Sequence, residues 1–305
     1  MMKKLKRLFK REEGNVLILV SVAFMGLLAI TGVVIDGGAL YMTKAELQKT
    51  ANAAVLSGAQ ELTGTHESAV TSIIDEVLLR HQEQNSLESV SVMMNNRVKV
   101  ELKKTVPLAF SKVLGFNTVD VRADATAKIG VMGRAIGAAP LGINETLDLK
   151  YGESYPLKVS SGNSENGNFG ILALEGKGAK NYEQTFREGY SEELKIGDKV
   201  LVQTGNIAGA TRDVVKEKVS SSCDISDRNC PRIITVLVYK PVCSDPISCT
   251  NYKEVQITGF AYFYITDPMS EKDTAITGKF IKRVGTGYVS DMASDRGAYS
   301  IQLTE

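Results

Sequence analysis

Residues 16–35, VLILVSVAFMGLLAITGVVI, form an apolar run of twenty residues without a charge. Wound as a helix, such a run rises about 30 Å, the thickness of the hydrocarbon core of a bilayer. No polar face interrupts it, which separates it from the core helix of a globular domain. Apolar positions then continue at helical spacing through Leu40, Leu47, Ala51, Ala54 and Val55. The pattern predicts that the helix either extends outward or restarts at Gly37 and Gly38. Thr63, Gly64 and Thr65 break it, and a second amphipathic helix is expected over residues 68–84, with Ile73, Ile74, Val77 and Leu78 on one side.

After residue 84 the period changes to two. ESVSVMM and RVKVELK alternate apolar and polar residues around Asn95 and Asn96, which predicts a β-hairpin with Val98, Val100 and Leu102 on one face. A short helical piece around LAFSKVLGF and a strand in TVDVRADATAKIG complete a small α+β unit ending near Gly130. Residues 131–140, VMGRAIGAAP, offer no periodic apolar face and read as a linker. From residue 141 to 305 the chain is a succession of short β-type runs, among them LDLKYG, FGILALEG, RIITVLVYKP and EVQITGFAYFYITD. Turn residues separate them, which predicts a sandwich- or barrel-like domain with residues 259–266 as a central strand. The fold class is therefore α+β. Its expected order is a basic segment over residues 1–15, a single membrane helix over 16–35, a helical and α+β region over 36–130, the linker, and the β-rich domain.

Charge sets an orientation. Residues 1–15 carry six Lys or Arg against two Glu, whereas the whole chain has a net charge of only +1. A basic cluster abutting an apolar span stays cytoplasmic and sends the downstream chain across, so residues beyond 35 are expected outside the cytoplasm. The same cluster is accounted for without nucleic acid. A cleaved signal peptide would have a shorter apolar region and an A-x-A-like site, whereas Asp36, Gly37, Gly38 and Ala39 come next here, so the anchor is expected to be retained. Asp36 marks the water interface in this reading; the alternative is a carboxylate paired with a basic residue on a neighbouring subunit. An apolar fraction of 43% with 23% charged residues excludes disorder and a multi-span transporter.

Four cysteines, Cys223, Cys230, Cys243 and Cys249, have six, twelve and five residues between successive members. An oxidising compartment would permit two bridges; adjacent pairing closes the shortest loops, although three pairings are open. Neither spacing makes the knuckle of a zinc site, and the two histidines, His66 and His81, lie far away in sequence. No G-x-S-x-G elbow and no phosphate-binding glycine motif is present, since GNSENGNFG at residues 162–170 lacks the required Lys. The adjacent acids Glu192 and Glu193 read as solvated. The sequence thus predicts no enzyme and calls for no cofactor or metal.

Residues 14–60 resemble the N-terminal segment of the TadG-like proteins of the Tad/Flp pilus-assembly machinery. The likeness rests on Gly14 before the apolar run, Asp36 closing it, Tyr41, Leu47 and Gln48, and the alanines Ala51, Ala53, Ala54 and Ala59. Asn52 stands where such proteins often carry an acid. Residues 110–130 are similar to the next segment of the family, and residues 167–170 and 196–206 are more loosely similar to ectodomains of pilus-assembly-related proteins. The resemblance implies a membrane-anchored, extracytoplasmic structural or assembly component of a bacterial Flp-type pilus. Its partners would be the bilayer and other pilus-assembly proteins or pilin, with homo-oligomerisation open. Some members carry a von Willebrand A-type domain with a D-x-S-x-S metal loop; in the nearest string, Asp224 to Arg228, Arg228 replaces the second serine. Two alternatives stand beside this reading. One is a pilin-like subunit cut after Gly14, although Leu19 occupies the position where such a pilin has Glu. The other is a surface-tethered enzyme or ligand-binding module.

Overall fold

The computed structural model describes residues 12–158, 169–203, 207–243 and 252–304. The chain forms two compact units and enters each more than once. The first comprises the chain up to Val55 with Ser72–Ser91 and Lys99–Thr126; the second comprises Leu56–Thr71, Val92–Val98 and everything from Ala127 on.

Helix α1, Glu12–Ala59, runs unbroken for 48 residues, so the apolar run extends outward and does not restart at Gly37 and Gly38. Its surface changes character along its length. Side chains from Val16 to Ile35 stand exposed, whereas Leu47, Ala51, Ala54 and Val55 are fully buried. Helix α2, Glu67–Arg80, buries Val70, Ile74 and Leu78 at intervals of four. It stops short of the expected residue 84 because Gln82 adopts a left-handed φ of 60°. Strands β1, Leu87–Met93, and β2, Arg97–Pro107, make the expected hairpin, with Asn95 at φ 58° in its turn. Val98, Val100 and Leu102 share its buried face. A 3₁₀ turn, Ser111–Leu114, then leads into β3, Thr118–Ala135.

Strand β3 continues well past Gly130, and β4, Ala138–Asn144, begins after two residues. Residues 131–135 and 138–140 of the stretch expected as a linker are therefore sheet. Small residues here answer to close packing: a Cβ on Gly130, just before the stretch, would lie 2.4 Å from Val289 Cγ1, and one on Gly133 within it would lie 2.2 Å from Ser290 Cβ. Conversely, LDLKYG at residues 147–152 forms no strand.

In the second unit the strands are β5, Ser154–Lys158; β6, Phe169–Ala173; β7, Leu194–Lys195; β8, Lys199–Val202; β9, Ile233–Pro241; β10, Glu254–Ile265; β11, Ala275–Ile281; β12, Arg283–Gly285; β13, Tyr288–Val289; and β14, Ala298–Thr304. Four of them close a ring with β4, running β10 to β8 to β6 to β4 to β9 and back to β10. Closure satisfies both edges of each strand in turn, and the β-rich region is thus barrel-like, with β11 and β5 continuing outward from β10. The aromatic run from residue 259 lies in β10 up to Ile265, and Tyr262, Phe263 and Tyr264 are paired on both edges, as a central strand requires. Strands β7 and β13 pair with the C-terminal part of β3, while β12 runs parallel to β14.

Both faces of the ring are buried. Ile234, Val236 and Val238 of β9 join one core, and Leu237 and Tyr239 join another. The first is covered by two helices absent from the sequence-based expectation, α3, Ala179–Glu188, and α4, Ala208–Val219. They contribute Tyr182, Phe186, Val214 and Val215, and the Tyr182 hydroxyl meets Thr211 Oγ1 at 3.1 Å. In the second core the fully buried Tyr239 ring depends on two glycines of the neighbouring strands. A Cβ on Gly142 would fall 2.7 Å from Tyr239 Cδ1, and one on Gly170 would fall 2.8 Å from its hydroxyl. Gly142→Val should therefore overpack this core and cost about 1–3 kcal/mol. The expected readout is a fall of several degrees in the melting temperature of the detergent-solubilised protein, partly restored by adding Tyr239→Leu; an unchanged melting temperature would contradict the packing.

Candidate functional site

Two features draw on residues singled out in the sequence. The first lies in the first unit, where the apolar part of α1 ends. Asp36 is 4% exposed in the midst of an otherwise exposed helix surface. Its carboxylate accepts backbone N–H bonds from Ala109 at 2.9 Å, Phe110 at 3.1 Å and Ser111 at 2.6 Å. These are the amides that open the 3₁₀ turn between β2 and β3, whose free donors a carboxylate satisfies as an N-cap would. One turn earlier, Gly32 lies against the same loop; a Cβ there would stand 2.7 Å from Phe110 Cβ. Asp36 thus turns away from water and into this loop. It fixes a loop more than seventy residues further along the chain.

Further along α1, Lys44 Nζ donates to the Arg122 carbonyl at 2.6 Å, and Gln48 Nε2 donates to the Asp124 carbonyl at 2.6 Å and to Asn52 Oδ1 at 3.2 Å. Leu47 and Ala54 are buried, and Ala53 is half-buried. Gly14 lies in the first turn of α1, and Tyr41 projects freely at 77% exposure. The structure therefore gathers Asp36, Leu47, Gln48 and Ala54 on the packed side of α1 and leaves Tyr41 on its open side.

The second feature lies in the second unit. Cys223 and Cys230 form a disulfide that closes a short loop. Cys243 is not free, and Cys249 lies outside the described residues. Arg283 clamps the closed loop from beneath, donating to the carbonyls of Ile225, Asp227 and Arg228 at 3.3, 3.0 and 2.7 Å. Burial pushes the Arg283 guanidinium below its ordinary pKa, and it remains charged. Arg228 reaches from the loop to Glu61 at 2.8 Å and to Gln60 Oε1. The residue that interrupts the D-x-S-x-S pattern is thus an ion-pair partner. Asp224 turns inward, accepting from Ser226 N and Oγ at 2.6 Å each. Among the described residues, no group of acids, histidines and cysteines is placed to hold a metal ion.

Beside this loop an open cleft of about 820 Å³ is lined by Arg134, Glu193, Arg228, Tyr262, Arg283 and Tyr288, among others. Each arginine has a partner, since Arg134 pairs with Glu193 at 3.6 Å and sits over the Tyr288 ring at 5.9 Å. The lining holds no histidine, and its cysteine, Cys230, is oxidised. His81 meets Thr50 Oγ1 at 3.3 Å on the first unit, and His66 is exposed. The glycine-rich string at residues 162–170 falls largely outside the described residues.

Comparison with protein families bears out the resemblance of the N-terminal region. Residues 14–61 match the family described as putative Flp pilus-assembly TadE/G-like, and residues 38–127 match the family described as putative Tad-like Flp pilus-assembly. The two matches overlap over residues 38–61, and the second ends within β3. They support a role in pilus assembly, and these families are of assembly components and not of enzymes. No curated protein and no solved structure matches the chain.

Replacing Asp36 by Ala should free the amides of residues 109–111, so that hydrogen exchange in the β2–β3 loop accelerates by about tenfold or more. Exchange in α1 beyond Leu47 should stay unchanged, and unaltered loop exchange would refute the cap. Removing the disulfide with Cys223→Ser and Cys230→Ser should destabilise the second unit by about 2–3 kcal/mol. Arg228→Ala, which removes an exposed ion pair, should cost less than about 1 kcal/mol; thermal melts with and without reductant compare the two.

Proposed function

We propose that the protein is a single-pass, membrane-anchored component of a Flp-type pilus system, with α1 as the anchor and the rest of the chain outside the cytoplasm as a structural or assembly module. The observation that carries this reading is the exposure of the apolar part of α1. Leu17 is 74% exposed, Met25 72% and Ile30 69%, in a helix whose later turns are packed. Protein does not cover these side chains within the fold, and a continuous apolar surface of this length has the bilayer as its natural partner. The six basic residues before it favour a cytoplasmic N-terminus. The Cys223–Cys230 disulfide favours an oxidising compartment for the second unit. A structural role, not catalysis, fits a cleft whose charged side chains are already paired.

The partners in this reading are the bilayer and other pilus-assembly proteins or pilin, and the surface offered to them includes Tyr41 and Met42, at 77% and 64% exposure on α1. The test is intact-mass analysis of the protein from native membranes, combined with protease shaving of cells with intact and with permeabilised envelopes. An unprocessed N-terminus and protease access to residues beyond 35 without opening the cytoplasm are expected. A protected C-terminal region would overturn the topology. Loss of residues 1–14 would replace the anchored module with a processed, pilin-like subunit.

A further inference from the structure

We infer that the loop joining β2 to β3 is a second membrane contact, inserting Phe110, Val113 and Phe116 into the lipid interface beside the outer end of the α1 span. The inference rests on the anchored reading of α1. Phe110 is 47% exposed, Val113 89% and Phe116 64%, an unusual concentration of bare apolar side chains in one short loop. Its position names what covers it. Phe110 packs on Gly32, three residues before the apolar run ends at Ile35, which is about 5 Å inside the span's outer boundary at the rise of an α-helix. The loop's apolar side chains are therefore continuous with Val33, Val34 and Ile35, which are themselves exposed. Whatever phase surrounds the last turn of the span also surrounds this loop.

The backbone is prepared for that phase. Irregular chain meets an apolar environment at a high cost unless its N–H groups are paired. Here Asp36 takes the amides of Ala109, Phe110 and Ser111. Leu108 N donates to Asn117 O at 2.9 Å, Val113 N to Phe110 O at 3.1 Å, Gly115 N to Lys112 O at 3.1 Å and Phe116 N to Ser111 O at 3.2 Å. Lys112, exposed between the apolar residues, is placed as a headgroup-level cation. Pairing by Asp36 thus has a purpose beyond loop geometry, since it removes the polar groups that would hold the loop in water.

The protein contains no tryptophan, so a single introduced Trp reports its own surroundings. Full-length protein would be reconstituted in phosphatidylcholine–phosphatidylglycerol vesicles, with and without lipids brominated near the ester end of the acyl chain or near its middle. Phe116→Trp should emit at short wavelength and lose emission to shallow bromines. Val22→Trp, inside the span, should lose emission to deep ones. Leu79→Trp, beside His81 and hence beside Thr50 of α1, lies about 22 Å beyond Ile35 and should stay unquenched with water-like emission. Water-like, unquenched emission from Phe116→Trp with Val22→Trp quenched would overturn the loop insertion and leave the anchor standing. Blue-shifted but unquenched Phe116→Trp would also overturn it, by placing protein and not lipid over the loop. Failure of Val22→Trp to respond would sink the anchored reading and this inference together.

Discussion

A helix that is apolar on every side at one end and packed on one side at the other must change partners along its length without breaking its backbone ladder. That constraint shapes the first unit. In α1 the change begins on one face, where Gly32, Asp36, Leu40, Thr43, Leu47, Ala51 and Ala54 succeed one another at helical spacing and are among the positions that lose exposure. Small residues admit close neighbours at both ends of this stripe, and between them a carboxylate takes three backbone amides at once. A charged acceptor is well suited there, because bonds to an ionised oxygen are shorter and stronger than those to a neutral one. The opposite face, with Tyr41 and Met42, is left free to meet something else.

In the second unit the corresponding constraint is ring closure. Five strands that pair in a circle have no spare edge, and both of their faces must be filled. One face is covered by α3 and α4, whereas the other receives Tyr239, whose ring fits only because Gly142 and Gly170 lack side chains. The same logic explains why residues 131–140 are poor in large side chains. Glycine and alanine there read as signs of a flexible connector, yet Gly133 packs directly against Ser290, as Gly130 just before the stretch packs against Val289. Close approach between strands and freedom from structure leave the same compositional trace.

What could be read from the sequence is what depends on neighbours within a few residues. The apolar run of α1, the Asn95–Asn96 hairpin and the short apolar β-type runs of β9 and β10 all arise from local pattern, and the structure reproduces them. The adjacent bridge Cys223–Cys230 is one of the open pairings, the one that closes a short loop. Helices α3 and α4 escape a periodicity argument, although Tyr182 and Phe186, and Thr211 and Val215, stand four apart; each helix is too short for its period to rise above the surrounding strands. Asp36 is legible as a boundary residue, but its partners are backbone amides more than seventy residues away, which no side-chain pattern announces. Arg283 is the plainest miss. It grips three carbonyls of the disulfide loop from more than fifty residues away, and nothing in its local sequence marks it.

The polar groups that look chemically promising in isolation share one property in the folded chain: each is bound to the architecture. Asp224 and Ser226 hold one another in a turn, Arg228 holds Glu61, and Arg134 faces Glu193 beneath Tyr288. Glu83, though buried, is matched by Lys104 and Ser86. Catalytic sites collect titratable groups whose protonation is displaced by burial or by like charge and whose acceptors or donors point at an open space. The tyrosines whose protonation burial does displace, Tyr182 and Tyr239, already face Thr211 and Tyr252. Here a carboxylate caps a loop and a guanidinium clamps carbonyls, so these charges fix irregular chain to the helix and strands beside it.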